Sequence, residues 1–167
     1  MGPFFAIGLP WPDGPYAVPE GTPGAVWLRG RVYDGAGEPV PDALLETWQS
    51  PSSGDGRHPS TPNFARNFAR CGTEPDGSYA ILFVKPGPDG TGQAPHLAMS
   101  VFARGLLDRV VTRVYFEDEA TANAADPVLT RVPDADRRAT LIAVSAEDGY
   151  TFDVRLRGEG ETVFLDA

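Results

Sequence analysis

Few residues in this chain are of types that do chemistry, and their positions limit what that chemistry is. There are two histidines, His58 and His96, and one cysteine, Cys71. One thiol can form neither an intrachain disulfide nor a thiolate metal cage, so Cys71 is expected to be a buried or half-buried structural thiol. A metal site would have to draw on His96, Asp89 and His58. A single histidine at the entrance to a strand is more often a hydrogen-bonded structural residue. The run Glu117-Asp118-Glu119 also invites a metal reading, but three adjacent acids at the start of a helix more simply oppose its dipole. Arg104 remains. A guanidinium matches a carboxylate in shape, charge and hydrogen-bond geometry.

These side chains need elements to position them. Val26, Leu28 and Val32 alternate along a strand, and Asp34 to Gly37 forms a turn before a second strand, Ala43 to Gln49. Residues 50–77 read as mostly irregular, with Asp76-Gly77 turning into a strand at Ser78–Val84. A Gly/Pro loop from Lys85 to Gln93 leads into a strand from His96 to Arg104. Further strands are expected at Val110–Phe116, Thr140–Val144, Tyr150–Arg157 and Thr162–Leu165. Glu117–Ala125 is the one helical stretch. Trp11, Trp27, Trp48, Phe64 and Phe68 are expected to pack in the core or an interface rather than against a ligand. Short strands at close intervals with turn signals between them indicate an all-β chain, a β-sandwich.

A chain of 167 residues, 41% of them apolar, is enough for one core. The 19 glycines and 17 prolines fit loop-rich β structure, because strand-like segments recur between them. A net charge of −9 opposes binding to nucleic acid or to an anionic membrane surface, since both need surplus Lys and Arg. The first ten residues have no cationic lead and are broken by proline, so neither a signal peptide nor a membrane span is expected there. The default location is the cytoplasm.

Several ordered segments carry a resemblance. Gly30-Arg31-Val32-Tyr33-Asp34-Gly35-Ala36-Gly37 with Leu45-Glu46-Thr47-Trp48-Gln49, Asp76-Gly77-Ser78-Tyr79, Val84-Lys85-Pro86-Gly87-Pro88 and Ala94-Pro95-His96-Leu97 resemble the core segments of the intradiol ring-cleavage dioxygenases. Phe102-Ala103-Arg104-Gly105, Thr112 to Ala120, Asn123 to Leu129 and Gly158 to Leu165 resemble the family's α-type chains in particular. The similarity covers the chain apart from residues 50–63. One departure lies at the start, where family α-type chains carry a short polar lead before Gly-Pro-aromatic and here Met1 abuts Gly2.

The resemblance implies a prealbumin-like β-sandwich over residues 26–167 with an extended N-terminal arm over 1–25. It also implies a ferric site, in catalytic chains, of two tyrosinates and two histidines spaced i, i+2 on one strand. Hard phenolate oxygens suit Fe(III), which activates a bound catechol for attack by dioxygen. Here the first histidine position is His96 and the second is Ala98, whose methyl group has no lone pair. The two regions where the family carries tyrosines, the 85–93 loop and residues 55–70, contain none. His96 is thus a vestigial ligand position, and no metal ligand set is expected on this chain.

What the resemblance implies instead is a non-catalytic α-type subunit. Its partner is a homologous β chain that holds the Fe(III), and the assembly opens the ring of protocatechuate with O2 to 3-carboxy-cis,cis-muconate. Arg104 lies eight residues beyond His96, about 26 Å along a strand on the same face, too far to serve its own vestigial site. It is expected beside the partner's substrate pocket, with Gly2, Pro3 and Phe4 lining the same pocket as part of the arm. The other class of function is a stand-alone β-sandwich binding module without catalytic activity. An extended arm, of the kind that lies against a partner, favours the subunit.

Overall fold

The computed structural model describes residues 8–49, 67–88 and 90–166. The strands in chain order are β1 (Ala25–Tyr33), β2 (Leu44–Trp48), β3 (Phe68–Gly72), β4 (Ser78–Val84), β5 (His96–Phe102), β6 (Val110–Phe116), β7 (Ile142–Ala146), β8 (Gly149–Thr151) and β9 (Val154–Arg155). They form one nine-stranded sheet in the order β3-β2-β5-β6-β7-β8-β1-β4, with β9 added to β1. The chain is therefore all-β in character, as its alternating pattern predicts. The period of two is plain in β5, where Leu97, Met99 and Val101 are buried and His96, Ala98, Ser100 and Phe102 are half-exposed. Leu28 and Val32 of β1 likewise reach the core, together with Val114, Phe116 and Phe83.

The sheet curls until its outermost strands, β3 and β4, approach each other. The segment before β1 fills that seam. Gly14 O accepts from Arg70 N of β3 at 2.7 Å, while Pro15 O accepts from Leu82 N of β4 and Ala17 N donates to Leu82 O, both at 2.9 Å. Glycine is required at position 14, since a Cβ there would stand 2.5 Å from Arg70 O. Ala17 and Val18 are buried, so this part of the expected arm lies on the chain's own sheet.

Several elements differ from the sequence pattern. β3 falls inside the stretch expected to be irregular. The Tyr150–Arg157 strand is split, because the Asp153 carboxylate accepts Arg31 N at 2.9 Å where a backbone carbonyl would otherwise serve. Thr162–Leu165 contributes a single bridge, Leu165 to Val111, rather than a strand. β7 begins at Ile142 because Thr140 still caps a helix, α2 (Ala135–Ala139), which Asp134 opens by accepting from Arg137 N. The expected helix at Glu117–Ala125 forms as a 3-10 turn, Glu117–Glu119, running into α1 (Ala120–Ala125). Among the described residues no helix is long and apolar enough to cross a membrane.

Candidate functional site

β5 and the turn after it separate the two residues of interest. His96 opens the strand, half-buried, with Nδ1 2.8 Å from Ala94 O. Opposite it in register stands Tyr115 of β6, the two rings 5.4 Å apart. Ala98, two residues on, lies between Trp48 of β2 and Arg113 of β6.

The Tyr115 side chain is fully buried, and its hydroxyl donates to Asp126 Oδ1 at 3.0 Å while accepting from Arg113 Nη1 at 3.2 Å. Burial, chiefly, pushes its phenol up to about 12, outweighing the pull of the Arg113 guanidinium. Arg113 Nη1 also donates to Gln93 Oε1 at 2.7 Å. Asp126, itself buried, accepts from Ala94 N at 2.9 Å, Val128 N at 2.8 Å and Leu129 N at 3.0 Å. Burial alone would raise this carboxyl, but the hydrogen bonds from Leu129, Ala94, Val128 and Tyr115 together hold it below the ordinary carboxylate value.

This donor set does not fit ferric iron. The Tyr115 hydroxyl is already engaged by the Asp126 carboxylate and the Arg113 guanidinium. The second imidazole is a methyl group. Among the described residues no three His, Cys, Asp or Glu side chains converge into a metal-ligating group. His58 and Asp89 lie outside the described residues.

The acidic run is engaged elsewhere. Lys85 Nζ lies 2.8 Å from Asp118 and 2.6 Å from Glu119, Tyr150 OH donates to Asp118 Oδ2 at 3.0 Å, and Ser145 N donates to Glu117 Oε1 at 2.8 Å. Lys85 also stacks its ammonium over Phe116 and Tyr150. These acids tie β4, β7 and β8 to the start of α1, which is more than the expected complement to a helix dipole.

At the far end, β5 stops at Phe102, two residues short of the expected Arg104. Arg104 therefore sits in the turn that leads to β6, beside Gly105 at φ +86°. Its side chain is 61% exposed and its Nε ion-pairs with Asp42 Oδ2. Leu107, on the same turn, is 92% exposed. Gly2, Pro3 and Phe4 lie outside the described residues.

Trp11 and Trp48 are not core residues. They flank Phe68 on the surface, at 6.1 and 4.6 Å between ring centroids, with the Arg70 guanidinium over Trp11. Phe64 lies outside the described residues. The residues that reading the sequence passes over are Asp126, Gln93 and Asp42. For Asp126 a local signal existed, an Asp-Pro pair just ahead of a helical turn.

Comparisons with known proteins show what the chain is similar to. A family model described as Dioxygenase matches residues 1–158. The chain is 44% identical to the protocatechuate 3,4-dioxygenase alpha chain of Burkholderia cepacia, covering 99% of this chain and 94% of that one. To the beta chain of the same name and organism it is 33% identical, over 87% of this chain and 71% of that one. Its fold superposes on the dioxygenase domain of a dioxygenase–carbohydrate-binding fusion protein from Streptomyces sp. SirexAA-E with a TM-score of 0.65 at 25% identity, covering 89% of this chain and 92% of that one.

Proposed function

The chain belongs to the intradiol dioxygenase family, and from that premise we propose that it is the non-catalytic α-type subunit of a protocatechuate 3,4-dioxygenase. In this reading a homologous β chain carries the Fe(III), and the pair converts protocatechuate and O2 to 3-carboxy-cis,cis-muconate in the cytoplasm. The observation that carries it is the donor set around His96. One imidazole faces a buried phenol, a guanidinium and a methyl group where four iron ligands would be needed.

The chain's own contribution lies at the other end of β5. Protocatechuate differs from catechol by a carboxylate, and Arg104 offers that group a cation on an exposed turn. Gly2, Pro3 and Phe4 are assigned to the same shared pocket. Residues 1–25 are taken as the arm, strapped across the seam around Gly14 to Ala17, and residues 26–167 as the prealbumin-like β-sandwich.

Purification of this chain alone and with its β partner tests the proposal. Alone, it should be colourless and bind no stoichiometric iron. Co-expressed, the two chains should copurify in equal number, red from phenolate-to-iron charge transfer and active on protocatechuate. A strong visible band on this chain alone would overturn the reading. A stable monomer that ignores the β chain would favour a stand-alone binding module.

A further inference from the structure

We propose that Asp42 is a positioning residue that aims the Arg104 guanidinium at the substrate carboxylate, an inference that rests on the reading of Arg104 as the carboxylate anchor. β2 and β5 pair antiparallel with Leu44 opposite Phe102. Continued outward by two residues, that register brings position 42 opposite position 104, where the ion pair is found.

The two partners differ in how firmly they are held. Asp42 is flanked by residues bound on both sides. Val40 N donates to Val32 O at 2.9 Å, and Val40 O accepts from Thr73 Oγ1 at 2.7 Å. Ala43, fully buried, donates from N to Thr73 Oγ1 and accepts from Thr73 N, both at 2.9 Å. The Asp42 side chain is 24% exposed against 61% for Arg104. A fixed, half-buried acid thus holds a long, exposed base.

The point of attachment also matters. Asp42 engages Nε, the guanidinium nitrogen nearest the chain. The two outer nitrogens are an edge that a carboxylate takes end-on in a bidentate contact. Fixing Nε turns that edge outward and removes rotamers in which the side chain lies back on its own sheet. An ion pair serving only stability would be an exposed strand-end contact of small effect. It would leave no trace in substrate preference.

Kinetics of the assembled two-chain enzyme on protocatechuate and on catechol separate the two. Asp42→Ala should raise KM for protocatechuate about 5- to 10-fold, with KM for catechol unchanged. Asp42→Asn should show a smaller rise, because an amide oxygen of the same shape still faces Nε but without the carboxylate's charge. In an Arg104→Ala background the Asp42→Ala change should add nothing. If Arg104→Ala is selective for protocatechuate while Asp42→Ala leaves or lowers KM, the positioning role is overturned and the anchor stands. If Arg104→Ala affects both substrates equally, the anchor itself fails and this inference with it. Iron content and chain ratio report assembly. Should Asp42→Ala fail to assemble, Asp42→Asn carries the test, and equal losses on both substrates would overturn the proposal.

Discussion

The two ends of β5 show opposite treatments of polar side chains. At the His96 end Asp126, Tyr115 and Arg113 find partners inside the chain. Asp126 takes three backbone N–H groups and a phenol, Tyr115 links Asp126 to Arg113, and Arg113 reaches Gln93. At the Arg104 end a guanidinium stands on an exposed turn with one acid on its inner nitrogen. The first arrangement spends its polar groups on stability, because a buried donor or acceptor must be satisfied. The second leaves hydrogen-bonding capacity for something outside the chain.

The largest expected effect breaks the first end. Asp126→Ala strands three backbone N–H groups and the Tyr115 hydroxyl, and should cost about 3 kcal/mol or more, seen as a fall in Tm of about 6–12 °C. Because the folded state holds this carboxyl below its ordinary value, its contribution is complete above the unfolded carboxylate pKa of about 4. It is lost as pH falls through the lowered folded value. Urea unfolding between acid and neutral pH should therefore show a flatter acid limb for Asp126→Asn. An unchanged limb would mean that the network is not held by the ionised carboxylate.

A smaller effect, selective rather than global, is expected at the second end. Arg104→Ala should lower kcat/KM for protocatechuate by roughly 10- to 150-fold, the worth of a charge-assisted hydrogen bond of about 1.5–3 kcal/mol, with far less effect on catechol. Iron content and assembly should not change. Equal losses on both substrates would make Arg104 an interface residue.

The smallest expected effect sharpens the comparison. His96→Ala should leave iron content unchanged and activity within about twofold, as for a partly exposed residue outside the shared pocket. A large loss of iron from the assembled enzyme would show that His96 still serves a metal.

Much of this contrast was legible in the sequence, for a physical reason. Once the family resemblance implies where the ligands would stand, their identity is a matter of residue type, so Ala98 and the absent tyrosines can be read without coordinates. The strands were legible where large side chains alternate, as in Leu97, Met99 and Val101. β3 was not, because only Ala69 and Cys71 face inward there, and small side chains give a weak period. Asp126 was partly hidden for a different reason. The Asp-Pro pair announces its local cap, but its carboxylate also binds Ala94 N, 32 residues earlier, a contact that the fold alone creates. Asp42 is of the same kind, since its partner is fixed by strand register.

The strap of Gly14 to Ala17 has a consequence for how the molecule is made. The outer N–H groups of Arg70 and Leu82 are what another extended chain would pair with, and the strap occupies them. Yet both partners lie far downstream, so the segment synthesised first docks only after β3 and β4 have formed. Until then the nascent chain presents two open strand edges. Such late, non-local closure slows folding and is the interval in which aggregation competes.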